Sequence, residues 1–348
     1  MISHKKENSN FIKYIAYLQI MGIILVVFGH SFHEYPDNHG FNLLVYRMLY
    51  SFRMPLFIFT SGFLMLYTCR IIPKHKMPFY KFSYQKFLRL LLPFVFLTLI
   101  TFIPRAMMSD FADDNINLTI GSFVGSFLYR DQLIIPFFWF LHTSFILLVI
   151  AYAFLIICES LNIRDSFMYI CLISISVILL FIPNTSTLLS LGKTAELAVY
   201  FVLGMIFCRY STFLDHYIPW TSWTFGILIF ILWALSFIYT ENTPFIAICS
   251  IFGIIMCISI TKILETKNIT LLDKFIGANY IIFLLSWYCN IFSQQVLHHF
   301  TDFPWWIYSI LSFISGIYIP WLVYKYLQNH KNKKWVKITA FLLGQKLK

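Results

Sequence analysis

Charge is what this sequence has least of. Asp, Glu, Lys and Arg make up 12% of 348 residues, and only 15 of those residues are acids. Soluble domains carry about twice that share of charge, so a water-soluble enzyme or binding module is excluded. Cysteine is equally uninformative as a framework. The seven (Cys69, Cys158, Cys171, Cys208, Cys249, Cys257 and Cys289) fall in or beside apolar runs with no C-x-x-C spacing, and read as small core residues. There is no Ser-His or Cys-His nucleophile motif, no internal repeat and no low-complexity segment. The excess of 26 Lys and Arg over 15 acids is not a nucleic-acid signature, and no nucleic-acid partner is expected.

What is present is apolar and aromatic: 59% of residues are hydrophobic, including 39 Phe, 21 Tyr and 9 Trp. The apolar runs recur near the ~20 residues needed to cross a hydrocarbon core. The fold class is therefore all-α, a polytopic membrane helical bundle with about ten transmembrane helices. They are expected at 14–32, 44–68, 90–107, 136–158, 166–183, 195–209, 218–239, 244–262, 276–297 and 305–327. The first run is too long for a secretory signal and lacks a small-residue cleavage site, so it is expected to be a retained span.

Alternate loops and termini hold 21 of the 26 Lys and Arg. The opposite loops hold Arg105, Arg130 and Lys193, and Arg47 and Arg53 lie within the second span. The positive-inside rule then predicts both termini in the cytoplasm and a multi-pass protein of a cell membrane. Residues 1–330 form one membrane domain. Residues 331–348 alternate lysines with Trp335, Ile338, Phe341 and Leu342, which predicts a basic amphipathic cytoplasmic tail lying on membrane lipid. The external segment 109–131 carries Asp110, Asp113, Asp114 and Asp131 and fits either a solvated lid or an inert loop.

Ionisable side chains inside spans are few, and each is a functional candidate by default. The stretch MGIILVVFGHSFHEYP, 21–36, ends its apolar run in His30. That residue lies ~24 Å along the helix from Tyr14, near the external face. Glu34, four residues on, shares its face if the helix continues, and a carboxylate that orients an imidazole makes a general base. Arg53 is too deep to snorkel and needs an acid, a carbonyl or a bound anion, with Glu34 and Glu196 the candidate acids. Arg47 either snorkels to the outer interface or faces the same cavity. His142 reads first as a core histidine, and second as a cavity residue with Glu196. Asn290 carries an amide suited to sugar hydroxyls or to helix–helix bonding. Together these groups point to a polar cavity opening outward.

The opposite face is basic. KHKMPFYKFSYQKFLRLLLP supplies Lys74, Lys76, Lys81, Lys86 and Arg89 with no acid. Anionic lipid would satisfy this charge, as would a phosphate-rich cytoplasmic ligand such as coenzyme A. Lys86 and Arg89 are three apart and would share a helical face able to grip a pyrophosphate.

The sequence resembles the acyltransferase-3 family of bacterial membrane acyltransferases, including the branch of fucose O-acetylases and polysaccharide intercellular adhesin modification proteins. VVFGHSF at 26–32 is similar to the family's first-span histidine motif, and SFRMPLFIFTSGFL at 51–64 to its Ser-Gly-Phe motif. YQKFLRLLLPF at 84–94 resembles the basic run before span three. FFWFL at 137–141 resembles the Trp-Phe-Leu motif, which brings in Trp139, and FIGANYIIFLL at 275–285 resembles the late Gly-Ser-Tyr motif. The resemblance implies transfer of an acyl group, usually acetyl, from cytoplasmic acetyl-CoA or another acyl-CoA to a hydroxyl on a cell-surface glycan or lipid-linked saccharide, without a metal. It puts His30 in the catalytic position, and Lys86 and Arg89, with Lys81 nearby, at the donor. The chain departs from the family pattern at Gln19, Arg53 and Ser286, where the family often has Arg, His and His. An exporter of glycan or polar solute would use a similar bundle, but would need two related halves, and no such symmetry is visible.

Overall fold

A computed structural model describes residues 12–32, 39–71, 77–107, 119–182, 185–238 and 243–347. Glu34 and the Asp110–Asp114 part of the acidic segment lie outside the described residues. The described chain is mostly helical, in the order α1 Lys13–Ser31, α2 His39–Leu66, α3 Phe79–Lys86, α4 Leu92–Met107, α5 Ile120–Leu128, α6 Trp139–Ser160, α7 Asp165–Leu180, α8 Leu191–Arg209, α9 Ser211–Tyr217, α10 Trp223–Ile238, α11 Thr243–Thr266, α12 Asn279–Ile291, α13 Leu297–Phe300, α14 Trp305–Asn329 and α15 Lys334–Leu342. β-pairing among the described residues is confined to an isolated bridge between Tyr129 and Leu188.

Seven helical stretches among the described residues are long and apolar enough to span a membrane: Lys13–Ser31, Tyr46–Cys69, Phe79–Met107, Pro136–Ser160, Leu191–Arg209, Ile246–Thr266 and Trp305–Asn329. Of the other three expected spans, α7 and α10 are apolar but only 16 residues long. The third is α12, which runs through a π turn, Phe292–Val296, into α13. Two more π turns, Tyr67–Ile71 and Phe87–Leu91, prolong α2 and join α3 to α4. The third span therefore begins at Phe79 rather than near residue 90, and Lys81, Lys86 and Arg89 are on helix, not on a loop.

Packing follows small residues and aromatic rings, since lipid tails give helices no hydrophobic reason to associate. At the α2–α8 crossing, Gly62 lies against the Phe201 backbone. Reciprocally, a Cβ on Gly204 would stand 2.8 Å from the Phe59 carbonyl carbon. Many hydroxyls back-bond within their own helices, as Thr60 does to Phe57 at 2.9 Å and Thr101 to Leu97 at 2.6 Å, which satisfies those donors inside the bundle. Tyr129–Phe138 is non-helical apart from two 3-10 turns, yet Leu133, Ile134 and Ile135 are buried. Such backbone is tolerated at membrane depth only inside protein.

Two ion-pair clusters tie helix ends together. Lys262 of α11, counted from sequence as a loop cation, is instead buried. It pairs with Asp215 and lies 4.6 Å from the Tyr14 ring and 5.3 Å from the Trp220 ring. Asp273, between α11 and α12, pairs with Lys13 at 3.3 Å and accepts from the Tyr17 hydroxyl. That hydroxyl, and then Lys13, hold its carboxyl below the usual carboxylate range.

Candidate active site

His30 sits on the last turn of α1, where a helix leaves carbonyls without partners. In an apolar interior those carbonyls need donors, and Gln294 of the Phe292–Val296 π turn supplies one. Its Nε2 donates to the carbonyls of His30 at 3.2 Å and Ser31 at 2.8 Å. The extra residue of a π turn re-aims a side chain that a regular helix would present elsewhere. The half-buried imidazole is set 5.7 Å from the Phe137 ring, at the end of the buried non-helical stretch.

Behind the imidazole, Gly29 has no side chain because Arg53 occupies the space. A Cβ there would lie 3.2 Å from the guanidinium carbon and nearer still to Nη1. Arg53 is 2% exposed. It lies beside the stacked rings of Tyr46 and Tyr50, 5.0 and 5.3 Å from their centroids, two turns and one turn earlier on α2. Its Nε and Nη1 have no hydrogen-bond partner among the described residues. A buried guanidinium held by aromatic faces keeps its charge and retains donors for an incoming anion. Of its expected acids, Glu34 is outside the described residues and Glu196 is engaged by Lys193 at 2.6 Å.

The remaining candidates divide. Arg47 is exposed, six residues before Arg53 on α2. Asn290 is buried on α12 and its Oδ1 accepts from Ser312 Oγ of α14 at 3.0 Å, so that oxygen serves helix packing. His142 is buried on α6. Its ring is 4.5 Å from Phe94, and its Nδ1 is 3.5 Å from Ser190 Oγ, with Ser190 at φ 58° just before α8. Contacts from Phe94 to Phe138 at 6.0 Å and from Phe138 to Phe137 at 5.4 Å lie between His142 and His30. Trp139 is half-buried and packs 6.4 Å from Phe140. Phe140 in turn meets Phe57 at 5.6 Å and Phe283 at 5.4 Å. Phe137, Phe138, Phe140 and Phe283 thus form an aromatic wall beside His30.

The basic residues are at the other end of the bundle. Lys86 closes α3 and Arg89 is in the Phe87–Leu91 π turn, which rotates the two further apart than three residues of α-helix would. Lys86 is half-buried, its amine 5.0 Å from the Phe82 ring, which stacks on Tyr152 at 3.9 Å. Arg89 is exposed and lies 6.0 Å from the Tyr280 ring, while the Tyr280 hydroxyl donates to the Arg89 carbonyl at 2.5 Å. Lys81 is exposed on α3. None of the three has a carboxylate partner among the described residues.

One helix joins the two ends. Tyr280 at the start of α12 holds the backbone at Arg89, and Gln294 just past its end holds the backbone at His30. Fourteen residues separate them, ~21 Å of helix. The sequence carries no signal for Gln294 beyond its being another amide in the span of Asn290, and none that singles out Tyr280, Phe137 or Gly29. Tyr280 and Phe137 stand within motifs that were otherwise noticed. Among the described residues no group of three or more His, Cys, Asp or Glu is placed to hold a metal ion.

A family model described as an acyltransferase domain, that of the acyltransferase-3 family, matches residues 12–325. No curated protein and no solved structure matches the chain.

Proposed function

Because the chain belongs to the acyltransferase-3 family and is a multi-pass membrane acyltransferase, we propose that it moves an acyl group, acetyl in the simplest case, from cytoplasmic acyl-CoA to a hydroxyl of an extracytoplasmic glycan or lipid-linked sugar. The fucose O-acetylase and adhesin-modification branch supplies the model for the acceptor. In this reading the bundle has ten crossings, with α7, α10 and the α12–α13 stretch completing the seven long ones. Both termini and the Lys86 end face the cytoplasm, the His30 end faces outward, and the membrane is the bacterial inner membrane.

The observation that carries the reading is α12, hydrogen-bonded at one end to the Arg89 turn and at the other to the His30 turn. An acyl-CoA has its phosphates and its thioester at opposite ends of a long flexible arm. It needs cations at one end of the bundle, a base at the other and a rigid element between them. Lys86 and Arg89, with Lys81 beside them, take the phosphates.

Neutral His30 accepts the proton of the acceptor hydroxyl as its oxygen attacks the thioester carbon. Arg53, with Nε and Nη1 unpaired, stabilises the oxyanion that forms on the carbonyl oxygen. Collapse breaks the carbon–sulfur bond, and the imidazolium returns the proton to the departing thiolate. Glu34 orients the imidazole from outside the described residues. Arg47, Trp139, His142, Glu196 and Asn290 belong to the acceptor side, Asn290 through its amide NH₂, since its carbonyl is engaged by Ser312.

The test is incubation of the purified protein in lipid nanodiscs with acetyl-CoA labelled on the acetyl group and a panel of glycan acceptors. Label appearing on a hydroxyl supports transfer. A carrier would move solute and leave no label on any acceptor.

A further inference from the structure

The C-terminal turn is fastened to the basic end of the bundle. Val336 and Ala340 of α15 and Leu343, the residue after it, are buried, and Tyr326 of α14 is 5.8 Å from Trp335. The helix stops at Gly344, whose φ of 60° is the left-handed conformation usual just past a helix C-terminus. A Cβ on Gly344 would stand 2.6 Å from the Arg89 carbonyl oxygen and 2.9 Å from Pro93 Cγ. Glycine is therefore required twice, for its backbone angle and for its contact. Two residues on, the Lys346 carbonyl accepts from Gln328 Nε2 at 3.0 Å, and Leu347 packs against the core. The Lys346 backbone is thereby held beside the π turn that carries Arg89.

Three cations from three segments meet there: Lys86 from α3, Arg89 from the π turn and Lys346 from the C-terminal turn. None is ion-paired among the described residues. Arg89 and Lys346 are the like charges near Lys86. Like charges brought together repel, and the arrangement is relieved by a ligand with several negative charges close together.

We propose that Lys346 is the third cation of the donor's phosphate site, and that Gly344 docks the C-terminal turn so that Lys86, Arg89 and Lys346 surround the pyrophosphate of a coenzyme A-type nucleotide. This rests on the donor reading above and adds a residue and a segment that lie beyond the matched family region. Lys346 acts as a flexible point charge and Arg89 as a planar fork, a division suited to two adjacent phosphates. The tail is then part of the binding site, in addition to any contact it makes with lipid.

The experiment is calorimetric titration of coenzyme A into the full chain in phosphatidylcholine nanodiscs. Lys346→Gln is expected to weaken binding about five-fold, Gly344→Val at least as much, and Lys333→Gln, on the exposed start of α15, not at all. Unchanged affinity in Lys346→Gln overturns the proposal while leaving the donor reading in place. Absence of binding by the unsubstituted protein overturns the donor reading itself. In a second arm, phosphatidylglycerol replaces part of the phosphatidylcholine. A nucleotide site keeps its affinity and its dependence on Lys346. Displacement of coenzyme A by the anionic lipid from the unsubstituted protein but not from Lys346→Gln identifies a lipid headgroup site and overturns the proposal.

Discussion

The two ends of this bundle handle positive charge in opposite ways. At the histidine end, Arg53 is buried beside two stacked tyrosine rings with Nε and Nη1 unpartnered among the described residues. At the basic end, Arg89 and Lys346 are exposed and Lys86 is half-buried against Phe82. A buried cation without a carboxylate is a liability for stability, and is tolerated where it serves a charge that appears during reaction. Exposed cations cost little, and serve a ligand that comes and goes from water. In the function proposed above, that difference would separate a site for chemistry from one for capture. At both ends aromatic rings, rather than carboxylates, lie against the cation among the described residues.

The strongest way to break this comparison is to remove the base. His30→Ala should lower acyl transfer by about 10²–10⁴-fold, the range for a general base, while coenzyme A binding measured by calorimetry stays within two-fold. A parallel loss of binding would mean that the ends are not separate. Next comes Arg53→Gln, expected to reduce turnover by about 10²–10³-fold, as for loss of an oxyanion donor. Because it also removes a buried unpaired charge, thermal unfolding should occur at the same temperature or higher. A large fall in melting temperature together with intact turnover would reassign Arg53 to structure.

Smaller effects test the helix between the two ends. Gln294→Leu leaves the His30 and Ser31 carbonyls without their donor and should cost about 1–3 kcal/mol of stability, read by denaturation in detergent, with turnover reduced and donor affinity unchanged. Tyr280→Phe removes only the hydroxyl bonded to the Arg89 carbonyl. It should cost about 1 kcal/mol and weaken coenzyme A binding a few-fold without altering turnover at saturating donor. If the two substitutions exchange phenotypes, the assignment of the ends is reversed.

Much of the layout was legible in the chain. Apolar runs predict α1, α2, α6, α11 and α14 as long membrane helices, and each is long and apolar enough, while the sixth span, expected to be short at 195–209, begins at Leu191 and reaches 19 residues. Arg53 stood out because an arginine in mid-span demands an explanation, and its burial beside Gly29 answers that demand. Lys81, Lys86 and Arg89, counted with the loop ahead of the third span, stand on a helix that begins at Phe79, because residues 79–92 hold no Pro or Gly and basic side chains at a membrane edge do not stop a helix. Lys262, counted with the loop cations, is instead buried and pairs with the exposed Asp215, 47 residues away in sequence. The π turns were not foreseen, since an inserted residue changes hydrogen bonding without changing composition.

By itself the sequence determined that the chain forms apolar helices able to cross a membrane, and it marked the motifs of an acyltransferase. It also singled out His30 and Arg53, because polar groups in hydrocarbon are costly enough to be rare and therefore conspicuous. Only the tertiary structure decided how those groups are held. Gln294 reaches His30 across 264 residues and Tyr280 reaches Arg89 across 191. Both bonds end on backbone carbonyls, which every residue carries and no sequence pattern marks. The physical reason is that a membrane interior requires each freed carbonyl to find a donor, but which side chain supplies it depends on how the helices pack.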